Sequence, residues 1–128
     1  MKMITRNPKQ GIYPATPDYV HAMEVTSAAR FLFVSGTMGL DHNGRAPDGL
    51  SEQLSLLWSN IRRILDEAGM TTENIVRLTS YLRDASFAAA NQDARLQALG
   101  ERRIPTTAIV VQTLMPQWLV EIEVIAAA

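Results

Sequence analysis

Leu50, Leu54, Leu57, Ile61, Ile64, Leu65 and Ala68 recur at spacings of three and four residues, with one adjacent pair. That period draws a single apolar stripe along one helix over residues 50–68. Asp48 or Ser51 is placed to cap its start, and Gly69 to close its end. A helix that is apolar on one side only must lie against another apolar surface. The rest of the chain supplies one, because much of it reads as strand.

Residues 20–25 and 30–36 form the first candidate strands, and Asp41-His-Asn-Gly44 follows as a turn. Residues 74–83 alternate. Val76, Leu78, Ser80 and Leu82 share one face, and Ile75, Arg77, Thr79, Tyr81 and Arg83 share the other. A second helix is expected over 86–99, with Phe87, Ala90, Ala94 and Ala98 inward and Gly100 as the stop. After Pro105 come two more strands. Thr107, Ile109 and Val111 are expected on the helix side of the first, and Val120, Ile122 and Val124 on one face of the second. Pro8, Pro14 and Pro17 make residues 1–18 an extended arm with room for one further strand.

Two helices cannot cover both faces of such a sheet. The expected class is α+β: one domain over residues 1–128, a six-stranded, largely antiparallel mixed sheet, and both helices on one face. The open face would then carry Thr79, Tyr81, Thr106, Ala108, Val110, Gln112, Glu121 and Glu123. That mixture suits a subunit interface. The alternative is a monomer with one solvated sheet face.

Twelve basic residues against thirteen acidic ones give a net charge of −1, which argues against nucleic-acid binding by phosphate neutralisation. The absence of cysteine excludes disulfides, thiolate metal sites and a thiol nucleophile. His21 and His42 are the only histidines, so no metal centre is expected. No apolar run approaches the roughly 18 residues of a membrane span. Lys2, Arg6 and Lys9 precede no apolar core of a secretory signal, so the expected location is the cytoplasm.

Several short elements, in order, carry a resemblance: Tyr19-Val-His-Ala, Phe33-Val-Ser-Gly36, Asn60-Ile61, Ile75-Val, Tyr81-Leu-Arg-Asp84, Asn91, and the ending Glu121-Ile-Glu-Val-Ile-Ala126. Together they resemble the reactive intermediate deaminase family (Rid, YjgF-like, also called endoribonuclease L-PSP) from about Gly11 to Ala127. The resemblance implies a chorismate-mutase-like fold of the bacillus type, assembled as a homotrimer with small-molecule clefts between subunits. It implies hydrolysis of enamines and imines to 2-oxo acids and ammonia, with no cofactor and no metal. By the same resemblance Tyr19 lines the cleft, Ser35 and Gly36 present backbone to the ligand, Asn91 lies near it, and Glu121 handles the hydrolytic water.

One departure stands out. Imine-hydrolysing members carry an arginine on the first of the last two strands, where it clamps the substrate carboxylate. Here Thr106, or Thr107 one residue on, takes that place, and Thr37 replaces the glutamine that often follows Ser-Gly. Thr106 is expected to point to the open face and Thr107 to the helices. Arg102 and Arg103 precede Pro105 and are not expected to reach the site. An arginine–carboxylate fork is worth roughly 1.5–3 kcal/mol, so 2-imino acids should bind poorly.

Other residues have plainer readings. Ser35 lacks the surroundings of a nucleophile. His21 reads as a structural histidine beside Tyr19, and His42 as solvated. Glu123 is expected to pair with a cation such as Arg77. Trp58 and Trp118 read as packing or interface residues, and Arg62-Arg63 as a solvated helix face. Three functions remain, in this order: deamination of a small enamine or imine, ligand binding by a non-enzymatic regulatory trimer, and a ribonuclease, against which the charge balance weighs.

Overall fold

A computed structural model describes all 128 residues. The strands are β1 (Lys2–Thr5), β2 (Met23–Thr26), β3 (Phe31–Met38), β4 (Ile75–Leu82), β5 (Thr106–Val110) and β6 (Val120–Ala127); the helices are α1 (Leu50–Glu67) and α2 (Ala88–Leu99). The class is α+β with six strands, but they form two sheets. β1 and β2 pair antiparallel by themselves, and the other four run in the order β3-β6-β4-β5. Ser27, in the left-handed region at φ 57°, turns the chain between β2 and β3. The β4–β5 pair is parallel, and β6 pairs antiparallel with both β3 and β4. α2 makes the crossover that the parallel pair requires.

α1 is where its periodicity predicts it. Leu54, Leu57, Ile61 and Leu65 are buried against Val34, Leu78, Leu82, Val120, Ile122 and Val124 in one core. Ile64 turns outward at 38 % exposure, and Gln53 and Trp58, one position either side of the stripe, are buried instead. Gln53 is satisfied there. Its Nε2 donates to the carbonyls of Pro47 (2.7 Å) and Gln117 (2.8 Å), and its Oε1 accepts from the Leu119 N–H (3.0 Å). Neither Asp48 nor Ser51 caps the helix. Gly49 takes the extended N-cap conformation with no side-chain bond, and Glu52 adds negative charge in the first turn. Gly69, at φ 66°, closes the other end, with Gly69 N–H bonded to Asp66 O and Met70 N–H to Leu65 O.

α2 is rotated from its expected seat. Its buried residues are Asn91, Arg95 and Leu99; Ala94 and Ala98 flank them and Ala90 is exposed. Asp84 starts the segment by accepting the Ser86 N–H at 2.9 Å, so a 3-10 turn over Ala85–Phe87 precedes the helix.

The facing of β5 is the reverse of the expected one. In the parallel register Leu78 lies beside Thr106, Thr79 beside Thr107 and Tyr81 beside Ile109. Neighbours across a ladder point the same way. Thr106, Ala108 and Val110 therefore share the helix side with Leu78, Ser80 and Leu82, and Thr107 shares the open face with Thr79 and Tyr81. On β4, a register shift between Ile75 and Arg77 lets Ile75 turn inward to full burial, against strict alternation.

Candidate functional site

β6 places Glu121 and Glu123 on the open face, opposite Tyr81 and Thr79 of β4. On its other side Glu121 lies across from β3, whose ladder is interrupted between Val34 and Thr37. Ser35 and Gly36 occupy that bulge. A Cβ on Gly36 would sit 2.1 Å from Glu121 Oε2, so the missing side chain is what makes room for the carboxylate. Glu121 is half-buried, and no side chain of the chain donates to it. Burial raises its pKa above the ordinary carboxylate value, and the nearby negative charge of Glu123 adds to the rise.

Glu123 does not pair with Arg77. It accepts the Tyr81 hydroxyl proton in a short hydrogen bond. That bond is the main reason the Tyr81 pKa is raised; burial and the two glutamates add to it, and Arg77 alone opposes it. Arg77 instead donates from Nη2 to Thr107 Oγ1 at 2.7 Å. Arg102 and Arg103 are spent on backbone carbonyls, Arg102 on Thr72 and Ile75 and Arg103 on Pro17, Gly100 and Arg102.

Glu121, Glu123 and Tyr81 line a shallow cleft of about 300 Å³ with Gln112 and Leu114. Ser35 and Gly36 line a wider one of about 1170 Å³ with Phe33, His42 and Asn60. A further groove of about 470 Å³ runs between α1 and α2, on the other side of the sheet from Glu121. No trio of His, Asp or Glu side chains is grouped to hold a metal ion. No helix is long and apolar enough to cross a membrane.

Tyr19 and Asn91 lie elsewhere in the chain. Tyr19 precedes β2, half-buried, its ring edge-on to His21 at 5.8 Å. His21 Nε2 is 2.8 Å from the Tyr13 carbonyl, which can only accept, so that nitrogen carries the proton. The His21 backbone N–H donates to Asn7 Oδ1 at 2.7 Å, and the two bonds together make it a structural histidine. Arg95 ties this segment to α2, donating to the Asp18 carbonyl (2.8 Å) and carboxylate (2.7 Å). Asn91 lies one helical turn before Arg95, 3 % exposed, with Oδ1 unpartnered. Thus Gly36, Ser35 and Glu121 come together, Thr107 joins Arg77, and Tyr19 and Asn91 belong to the α2 side. Thr106 faces the helices.

The Tyr81–Glu123, Arg77–Thr107 and Arg95–Asp18 contacts escape the sequence reading. Alternation on β4 does put Arg77 and Tyr81 on the Glu121 face, and the Asn91-Arg95-Leu99 spacing does mark a helix row. Burial pushes the Asp18 pKa up, but hydrogen bonds from Thr16 and Arg95 outweigh it and leave it lowered. Arg95→Met is expected to cost about 2 kcal/mol, because it strands a carboxylate that is largely out of water. A lowered folded pKa means the stabilisation is present above the unfolded value and is lost as pH falls through the folded one. Thermal melts of the two proteins should therefore differ at neutral pH and converge in acid; equal melts at pH 7 would refute the assignment.

The sequence profile of the endoribonuclease L-PSP family matches residues 10–128. The chain belongs to the Rid/YjgF-like family. A RutC family protein of Aquifex aeolicus is 39 % identical over 80 residues, 62 % of this chain and 60 % of that protein. Another, from Pyrococcus abyssi, is 32 % identical over 110 residues, 84 % of each. Among solved structures, a conserved Rid-family protein of unknown function from Yersinia pestis superposes over the whole of both chains, with a TM-score of 0.82 at 25 % identity. RidA from a Psychrobacter species superposes with a TM-score of 0.73 at 26 % identity, covering 89 % of this chain and 91 % of that one.

Proposed function

We propose that this Rid-type protein hydrolyses a small reactive enamine or imine in clefts between the subunits of a chorismate-mutase-like homotrimer. The whole chain would act as one domain, in the cytoplasm, without metal or cofactor. The observation that carries the reading is Glu121: a half-buried, unpartnered carboxylate held over a side-chain-free residue on an open face. Phe33 at 74 % exposure and Ile109 at 44 % stand on the same face, which gives a neighbouring copy apolar surface to cover.

In this reading water attacks the C=N carbon while Glu121 takes one of its protons, and the imine nitrogen takes up a proton as the carbinolamine forms. Glu121 then returns its proton to the departing nitrogen. The C–N bond breaks as the carbinolamine hydroxyl gives its proton to solvent, replacing the one that the imine nitrogen drew from solvent, and a carbonyl and ammonia remain. An ionised carboxylate with a raised pKa is a stronger base for this work. The Ser35–Gly36 backbone and Thr107 would contact the ligand, and Tyr19 and Asn91 would border the cleft near the α2 side. A ligand-binding trimer without turnover is the second reading, favoured by an open face on which β5 carries Thr107 and no arginine.

Light scattering should give a mass near three times the 14.2 kDa chain. A monomer at micromolar concentration would sink the shared-cleft reading. Ammonia release from an imine generated in the assay by an amino-acid oxidase separates turnover from binding alone.

A further inference from the structure

Tyr81 stands directly opposite Glu121 in the β4–β6 ladder, and Thr79 stands opposite Glu123. The Tyr81 hydroxyl nevertheless passes Glu121 by. It donates to Glu123 Oε1, the diagonal neighbour on the same face. Glu121 turns the other way, toward β3, where its Oε2 lies over Gly36. Two carboxylates of one strand are thus drawn apart. Glu123 is committed to β4, and Glu121 has no donor from the chain.

Little else around the pair can take or release a proton. β3 and β5 carry no ionisable side chain. Arg77 of β4 is bonded to Thr107 Oγ1 at 2.7 Å. Arg83, just past the end of β4, forms no salt bridge; the chain's two are Arg6–Glu24 and Arg95–Asp18. Asp41, His42 and Arg63 line the wider cleft on the Gly36 side. A proton arriving on the face therefore has two carboxylates to choose between, and such a pair titrates as a unit. A hydrogen bond from a phenol favours the ionised form of the carboxylate that accepts it. One such bond biases the choice by about ten- to a hundredfold. Burial, and then the charge of Glu123, raises the Glu121 pKa, which is the sign this division requires.

We propose that Tyr81 is the positioning residue of this face: by engaging Glu123 it leaves Glu121 as the carboxylate that exchanges protons with the ligand and its water. The segment Glu121-Ile-Glu123 does not itself distinguish its two carboxylates. The tyrosine across the ladder does, and pushing two titrating groups apart is how a site assigns one of them as its base. The inference rests on the hydrolytic reading above for its effect on turnover, but not for where the proton sits.

The test follows the side-chain carboxyl resonances of isotopically labelled glutamate by NMR through a pH titration. It compares wild type, Tyr81→Phe, Glu123→Gln and the double variant. In wild type the last proton should leave Glu121 in one sharp step. In Tyr81→Phe, Glu123 should hold a share of that proton, so the Glu121 curve should broaden and its midpoint fall. Glu123→Gln should lower the midpoint too, because the like charge is gone, but should leave the curve sharp. Adding Tyr81→Phe to Glu123→Gln should then change nothing further, since Tyr81 acts through Glu123. Turnover of the imine made from leucine by an L-amino-acid oxidase gives the second readout. Relative to its own plateau, Tyr81→Phe should be up to about tenfold more active than wild type on the acid side. Lost packing would lower the melt and leave that ratio where it was.

Identical Glu121 curves in wild type and Tyr81→Phe overturn the proposal. So does a Tyr81→Phe shift that persists in the Glu123→Gln background. If the curves part as expected but no imine is hydrolysed, the deaminase reading falls and the division of the carboxylates stands. Hydrolysis with one pH profile in both wild type and Tyr81→Phe overturns the proposal and leaves the deaminase reading intact. Wild type decides by itself should Tyr81→Phe fail to fold: a last proton shared equally by Glu121 and Glu123 overturns the assignment.

Discussion

Glu121→Gln is expected to leave the protein folded and to lower imine hydrolysis by about 10²–10⁴-fold, the usual contribution of a positioned general base. Glutamine matches glutamate in shape and fits the same gap over Gly36, so a loss of rate reports the lost base. Wild-type activity should rise with pH through a pKa above the ordinary carboxylate value, because burial and then Glu123 raise that of Glu121. Glu123→Gln removes the like charge and should move that acid limb to lower pH. Stability should run the other way. A carboxyl group whose folded pKa is raised contributes stability that is complete below its unfolded pKa and lost as pH rises through the folded one. At neutral pH, Glu121→Gln should thus melt no lower than wild type. Activity within about threefold of wild type would remove Glu121 from the mechanism, and a lowered melt would show that its role is structural.

How far the sequence is legible depends on whether the signal is local. α1 carries its stripe within its own 18 residues, so Leu54, Leu57, Ile61 and Leu65 could be read directly. β6 alternates Val120, Ile122 and Val124 with Glu121 and Glu123, and that contrast alone separates its faces. β5 has no such contrast. Thr-Thr-Ala-Ile-Val reads equally well either way up, and its facing is decided by the register in which Pro105 O accepts the Leu78 N–H. The split into two sheets is a matter of pairing between distant segments, which no short window contains. α2 misleads for a different reason. Its alanines look like the inner face, but Arg95 is drawn inward by Asp18, 77 residues earlier, and brings Asn91 with it. The same holds for the site. Glu121 and Gly36 are recognisable as residues, whereas Arg77 beside Thr107 and Tyr81 beside Glu123 arise only when β4 lies between β5 and β6.

Gly36 and Gly39, three residues apart, offer the second large effect through a contrast. A Cβ on either would lie 2.1 Å from an oxygen, Glu121 Oε2 for Gly36 and the Gln53 backbone carbonyl for Gly39. The Glu121 carboxylate is the free end of a flexible side chain. It can swing aside at about 1 kcal/mol of rotamer strain. Gly36→Ala should therefore melt within a few degrees of wild type, yet lose about a hundredfold in turnover as the base is displaced by an ångström or more. Gln53 O cannot move alone. It belongs to α1, with Gln53 C and Cα each only 2.7 Å from the added carbon, and the Gln53 side chain bonds Pro47, Gln117 and Leu119. Nor can the strand end slide away, because Asn60 Nδ2 holds the carbonyls on either side of Gly39, Met38 at 3.1 Å and Leu40 at 2.9 Å. Gly39→Ala must push α1 off the sheet, at a cost of about 3 kcal/mol or more. For a chain of this size that lowers the melting temperature by about 10 °C or more. A Gly39→Ala protein melting within about 2 °C of wild type would show that α1 gives way more easily than its bonds imply. A fully active Gly36→Ala protein would show that Glu121 does not need the space glycine leaves it.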